Sequence, residues 1–323
     1  MPKLIALLGA LLTLTAPAAA RPAPTCSADC ITEFTLPAAG CGPFGIARGL
    51  RGDMWYGHAG AVGRISRSGV VTEYHVPTPD ALVGSIIRGD GGDMWFLERL
   101  GNKIGRIDAQ GRIREYPIPT PSSLPQGLVV GADHAIWFTE QNADRIARLD
   151  EDGTVTERTV PTPGADPLGL VVGPDRALWF TERAADKIGR MTLDGSFAEY
   201  PLSSGAFPPR ITVGHDGALW FTENHGNRIG RITTDGELTE YPLPPRTGPV
   251  GITDGPDHAL WFVESGANAI ARMTLDGTVT DEYPIPTPNS GALQIAPGPD
   301  GTLWFTEGLG DNNRIGRLAP WSH

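Results

Sequence analysis

The stretch Ala218-Leu219-Trp220-Phe221-Thr222-Glu223 is followed by Arg228-Ile229-Gly230-Arg231-Ile232, the pair Asp235-Gly236, and Glu240-Tyr241-Pro242-Leu243-Pro244. This is one of seven copies of a single pattern, anchored at Trp55, Trp95, Trp137, Trp179, Trp220, Trp261 and Trp304. Successive tryptophans stand 40 to 43 residues apart. A period near forty is the mark of a four-stranded propeller blade. The expected fold is all-β, a seven-bladed β-propeller.

Each copy holds four strand-like runs. In the fifth they are residues 210–213, 218–223, 228–233 and 238–243, rich in β-branched and aromatic side chains and bounded by Gly, Pro and Asp. The first two runs are apolar on both faces, as strands sandwiched between neighbouring blades must be. Asp152-Gly153, Asp194-Gly195, Asp235-Gly236 and Asp276-Gly277 mark hairpins between the third and fourth runs, where Gly supplies the positive φ. Pro117, Pro201, Pro242 and Pro284 fall on the fourth run. Proline has no ladder donor, so that run is expected at the outer edge.

The last copy stops after Ile315-Gly316-Arg317-Leu318, without a fourth run. Its missing run lies at the other end of the chain. Ile31-Thr32-Glu33-Phe34-Thr35-Leu36-Pro37 parallels Val71-Thr72-Glu73-Tyr74-His75-Val76-Pro77. The N-terminal strand is therefore expected to complete blade 7 and leave no open sheet edge.

The 323 residues are 20% charged and 40% hydrophobic, ordinary for a globular chain. The 42 glycines and 30 prolines recur at fixed repeat positions, which makes them turn punctuation rather than a sign of disorder. A net charge of −11 argues against nucleic-acid binding. Lys3, an apolar run from Leu4 to Leu14 and Ala18-Ala19-Ala20 read as a secretory signal over residues 1–20, leaving 21–323 as the propeller. The run is too short for a membrane anchor. A secreted or periplasmic monomer is expected, binding a small molecule or peptide on its ring face, with no nucleic acid and no membrane as partner. In an oxidising compartment, Cys41 is expected to pair with Cys26 or Cys30.

Three residues past each tryptophan stand His58, Glu98, Glu140, Glu182, Glu223, Glu264 and Glu307. Pseudo-symmetry makes them a ring on one face, the expected ligand face. Crowded carboxylates need a counter-charge. Arg64, Arg106, Arg148, Arg190, Arg231, Arg272 and Arg317 recur to supply one, in which case each Glu is a blade staple. The sharper reading places a hard cation, Mg²⁺ or Ca²⁺, on one or two of the glutamates. His58 is the one base in register with such a site, and His225 lies two residues past Glu223 in a loop toward the same face. These two are the candidate catalytic histidines. His134 and His258 occupy turn slots, and His75 and His215 look like surface positions.

Trp-Phe-Thr-Glu, Ile-Gly-Arg-Ile-Thr and Glu-Tyr-Pro-Leu-Pro, repeated from Ile31 to Leu318, resemble the streptogramin B lyases, also called virginiamycin B lyases. The resemblance implies a seven-bladed propeller that opens cyclic depsipeptide antibiotics by C–O elimination at the ester, with a histidine base and Mg²⁺. The family carries its histidines in two blade-start segments, Pro-His-[Ala/Gly]-Ile, with a Glu two residues before the second. Ile or Leu stands nine residues before each tryptophan here, and the position two earlier holds Phe44, Gly84, Gln126, Leu168, Pro209, Val250 and Leu293. None is His. Gly291 occupies the place of the upstream Glu, and Glu307 alone matches the family's site, as its metal-side carboxylate. A ligand-binding relative is therefore expected, with a Mg²⁺-dependent lyase as the alternative.

Overall fold

The computed structural model describes residues 30–37, 42–309 and 312–320. Over those residues it contains seven four-stranded antiparallel sheets. Blade 1 is β2 (Ile46–Arg48), β3 (Met54–His58), β4 (Ala61–Ile65) and β5 (Val71–His75). Blade 5 is β18 (Ile211–Val213), β19 (Leu219–Glu223), β20 (Arg228–Ile232) and β21 (Leu238–Pro242), within two residues of the four sequence runs at every boundary. Blade 7 is β26 (Ala292–Pro297), β27 (Leu303–Glu307), β28 (Arg314–Leu318) and the N-terminal β1 (Ile31–Thr35). The chain is a seven-bladed propeller. The leader segment, Cys26 and Cys41 lie outside the described residues.

β1 pairs antiparallel with β28, from Ile31 opposite Leu318 to Thr35 opposite Arg314. The ring thus closes by sheet pairing between the two ends of the chain. Just before β1, Cys30 is disulfide-bonded, and its carbonyl accepts from the Ala319 amide at 3.0 Å.

The second strand of each blade is its most enclosed. β19 and β27 are buried at every position, on both faces. The tryptophan there would leave its indole N–H unpaired unless a partner were built in. An Asp from the preceding turn supplies one: Trp220 donates to Asp216 at 3.0 Å and Trp179 to Asp175 at 3.0 Å. The same Asp accepts from the repeat arginine, Arg231 Nε at 2.8 Å and Arg190 Nε at 2.7 Å, and the guanidinium lies over the indole. This corrects the expected pairing. Arg106, Arg148, Arg190, Arg231 and Arg272 neutralise turn aspartates, not the ring glutamates. The outer-strand tyrosine also stacks on the indole, with Trp220 and Tyr241 centroids 5.5 Å apart. The hairpin glycine of the next blade slides beneath that ring. Gly277 has φ +88, and a Cβ there would meet Tyr241 Cδ1 at 2.0 Å.

The Pro-Thr-Pro segment that leaves one blade clamps the next. The Thr120 amide and hydroxyl both donate to Glu157, at 3.0 and 2.8 Å. Thr78 grips Glu115 and Thr162 grips Glu199 in the same way, and Ser203 takes the role on Glu240. At the closure, Thr287 reaches Glu33 of β1 at 2.9 and 2.8 Å. Glu33, Glu115, Glu157, Glu199 and Glu240 are thereby satisfied from a neighbouring blade, whereas Glu73 Oε1 is buried without a hydrogen-bond partner.

Candidate functional site

The seven positions two residues before the blade-start Ile or Leu come together. Phe44, Gly84, Gln126, Leu168, Pro209, Val250 and Leu293 all line one cavity on the ring axis, of about 440 Å³. The innermost strands approach so closely that the following residue is usually Gly. A Cβ at Gly127 would stand 2.4 Å from the Leu168 carbonyl oxygen, and one at Gly251 would stand 2.6 Å from that of Leu293. Ser85, Arg210 and Gln294 are the exceptions to this column. With its amide oxygen turned inward, Gln294 accepts from Arg210 Nε at 2.7 Å and Nη2 at 3.2 Å. Arg210 borders both the cavity and a narrower channel of about 130 Å³ beneath it, so its side chain forms the floor.

Two more guanidiniums join it. Arg99 and Arg183 each follow a ring glutamate and turn toward the axis, where both line the cavity. Arg183 is held by Asp166 at 2.6 Å and by the Phe207 ring 4.7 Å from its centre. Arg99 lies over the Phe44 ring at 5.5 Å, and its Nε is buried without a hydrogen-bond partner. Burial, then the proximity of the other two arginines, pushes the Arg210 guanidinium down to about 10. Arg99 is lowered by burial and by Arg183. Among the described residues, no Asp or Glu lines the cavity.

The ring residues are placed elsewhere. His58, Glu98, Glu140, Glu182, Glu223, Glu264 and Glu307 are at most 3% exposed, and none lines the cavity. They sit inside the blades, facing the outer-strand carboxylates. Glu182 neighbours Glu199, Glu140 neighbours Glu157 and Glu307 neighbours Glu33. Burial, then the adjacent carboxylate, raises Glu182 and Glu307 to about 8 and Glu140 to about 7. Glu223 also rises to about 7, though Arg228 bonds it at 2.6 Å. Glu98 rises mainly through burial. His58 Nε2 lies 3.4 Å from Glu73, and burial lowers its pKa despite that neighbour. His225 is exposed and stacks at 4.1 Å on Phe207, the ring that Arg183 also lies over. It reaches the rim through that ring rather than lining the cavity.

One further cluster lies at the other end of the inner strands. His215, Asp254 and His258 offer ligand atoms within 4.8 Å of one another, the one such group of three among the described residues. Asp254 ends the strand Pro249–Asp254, four residues past the cavity-lining Val250, so about 13 Å of strand separates the cluster from the cavity. Two imidazoles and a carboxylate suit a borderline metal such as Zn²⁺ better than Mg²⁺.

Comparison with known proteins identifies the family. The profile of the virginiamycin B lyase family matches residues 15–158 and 128–322. The chain belongs to that family. A solved streptogramin B lyase is 44% identical, with 90% of this chain and 97% of that chain covered and a TM-score of 0.85. Virginiamycin B lyase from Staphylococcus aureus is 41% identical, covering 90% and 98% of the two chains with a TM-score of 0.84. A catalytically inactive histidine-to-alanine variant of the Staphylococcus aureus enzyme, solved with quinupristin, is 40% identical, at the same coverage and TM-score. Among curated proteins no match was found.

The Mg²⁺ of the lyases does not fit the corresponding residues here. Val250, Leu293 and Gly291 have no side-chain donor, and Glu307 is buried in blade 7 between Glu33 and Arg314. The cavity these positions line carries arginines instead.

The spacing located the blade-start positions only as the slots of the family's histidines; the ligand face was expected on the ring glutamates instead, and Arg99 and Arg183 were overlooked. The signal was in the column after the ring glutamates, which reads Ala59, Arg99, Gln141, Arg183, Asn224, Ser265 and Gly308. Only two of the seven are charged, and both reach the cavity.

Proposed function

We propose that this chain is a secreted ligand-binding member of the virginiamycin B lyase family, using the axial cavity as its binding site. One observation carries the reading: seven symmetry-related positions line that cavity, and none offers an imidazole or a carboxylate. Elimination at an ester C–O bond needs a base to take a proton, and Val250 and Leu293 cannot. A pocket of about 440 Å³, part apolar and part polar, is within the range of small-molecule sites.

The second reading is a Mg²⁺-dependent lyase acting on streptogramin B antibiotics. Identity of 40–44% to such lyases over 90% of the chain favours it. His58 or His225 would then have to serve as the base. His58 faces Glu73 inside blade 1, and His225 stacks on Phe207 without lining the cavity. A lost general base costs roughly 10²–10⁴-fold in rate.

Incubating the purified protein with a streptogramin B and Mg²⁺, followed by chromatography and mass spectrometry, tests both readings. The expected result is intact cyclic substrate. A product of unchanged mass but shifted retention, formed at the rate of a true lyase and abolished by EDTA, would overturn the binding reading.

A further inference from the structure

We infer that the axial cavity is an oxyanion site: it takes a small molecule with a carboxylate, phosphate or sulfate group on an apolar body. This rests on the proposed use of the cavity for ligand binding and specifies what is bound.

The charge distribution is the first ground. The chain as a whole carries −11, yet three half-buried arginines from blades 2, 4 and 5 converge on one cavity. Only Arg183 has a carboxylate partner among the described ion pairs, Asp166. Arg99 has aromatic and apolar surroundings, and Arg210 has only the neutral oxygens of Gln294 and Pro209. Gathering like charges away from water is costly and gives no packing that leucine would not give better. A bound anion would offset that cost. Guanidinium forks match the geometry of carboxylate and phosphate oxygens, which adds direction to the attraction.

The second ground is the asymmetry of the wall. Blades 6, 7 and 1 contribute Val250, Leu293, Leu309 and Phe44. The arginines stand on the other blades, beside Leu168 and Pro209, so the charged end of a ligand is drawn to that side. Lowered pKa values at Arg99 and Arg210 report the same repulsion and desolvation.

The experiment is calorimetric titration of the purified protein with benzoate, phenyl phosphate and benzenesulfonate, with neutral benzamide as the isostere. At least one acid should bind, and the order among the three names the preferred group. Arg99→Gln and Arg210→Gln should each weaken that binding by roughly ten- to a hundredfold. Both substitutions should also raise the melting temperature of the ligand-free protein, because each removes a half-buried charge that has no carboxylate partner among the described ion pairs. Equal binding of benzamide and benzoate would overturn the oxyanion assignment and leave the ligand-binding reading standing. Failure of all three acids to bind at millimolar concentration would overturn it too, as would unchanged affinity in both variants. Lyase activity of the unmodified chain would strike the functional reading instead.

Discussion

Replacing Glu182 by Gln should stabilise this protein at neutral pH and leave it nearly unchanged at pH 5. Glu182 is fully buried, and its two oxygens accept no hydrogen bond from the protein. Its strongest neighbour is the Glu199 carboxylate, which is itself held ionised by Lys187 and Thr162. Glu182 therefore keeps its proton up to about pH 8 in the folded state, against an ordinary value of 4.5. Between those values the folded state binds one proton more than the unfolded state, so stability falls as pH rises. Each pH step across the window costs about 1.4 kcal/mol, and by pH 7 the ceiling for this one group is about 3 kcal/mol. Gln fills the same volume and does not titrate. Thermal melts of wild type and Glu182→Gln at pH 5.0 and 7.5 read the effect. A gain of one to two kcal/mol at pH 7.5 corresponds to roughly 2–8 °C in a domain of this size. If the variant differs from wild type equally at both pH values, the carboxyl is not held protonated and the reasoning fails.

Four further outcomes follow from the fold. Deleting residues 31–35 removes β1, exposes the outer edge of β28 and should abolish cooperative melting; an unaltered melt would refute closure by the N-terminal strand. Reducing the disulfide at Cys30 should lower stability by about 2–4 kcal/mol, seen as a shift of the urea midpoint with dithiothreitol. Asp216→Ala should cost about 1–3 kcal/mol, because both Trp220 Nε1 and Arg231 lose their acceptor; a neutral result would show the link to be incidental. Gly291→Glu should destabilise rather than rebuild a lyase-like site, since Gly291 has φ +63 and a Cβ would meet that of Leu309 at 2.4 Å. A melt at or above wild type would show that Leu309 moves aside without cost.

The fold was legible because it is periodic. Trp at a fixed spacing, Asp-Gly hairpins and the split seventh copy each have one structural solution, and the N-terminal strand pairs where the parallel between Glu33 and Glu73 places it. The blade-start positions were legible as slots of the repeat, but not as the lining of the axis, where the ring glutamates were expected. Two things were not. The ring glutamates share a column, which looks like convergence, yet each faces its own blade's outer strand, because sequence columns carry no direction along a radius. The arginine cluster combines residues from blades 2, 4 and 5 and two different columns. It belongs to no motif, since what makes it a site is departure from the repeat at places that meet only once the ring is closed.

Closure by β1 also bears on the order in which the chain is made. β1 leaves the ribosome first and its partner β28 comes about 280 residues later. At roughly 5–20 residues per second, that is an interval of about 15–60 s. Throughout it, Ile31 to Thr35 are an unpaired strand rich in β-formers, the kind of edge that recruits other chains. Blades 1 to 6 can each form as they emerge, but the seventh must await the end of synthesis. Any factor that keeps this chain soluble before completion has one short segment to shield.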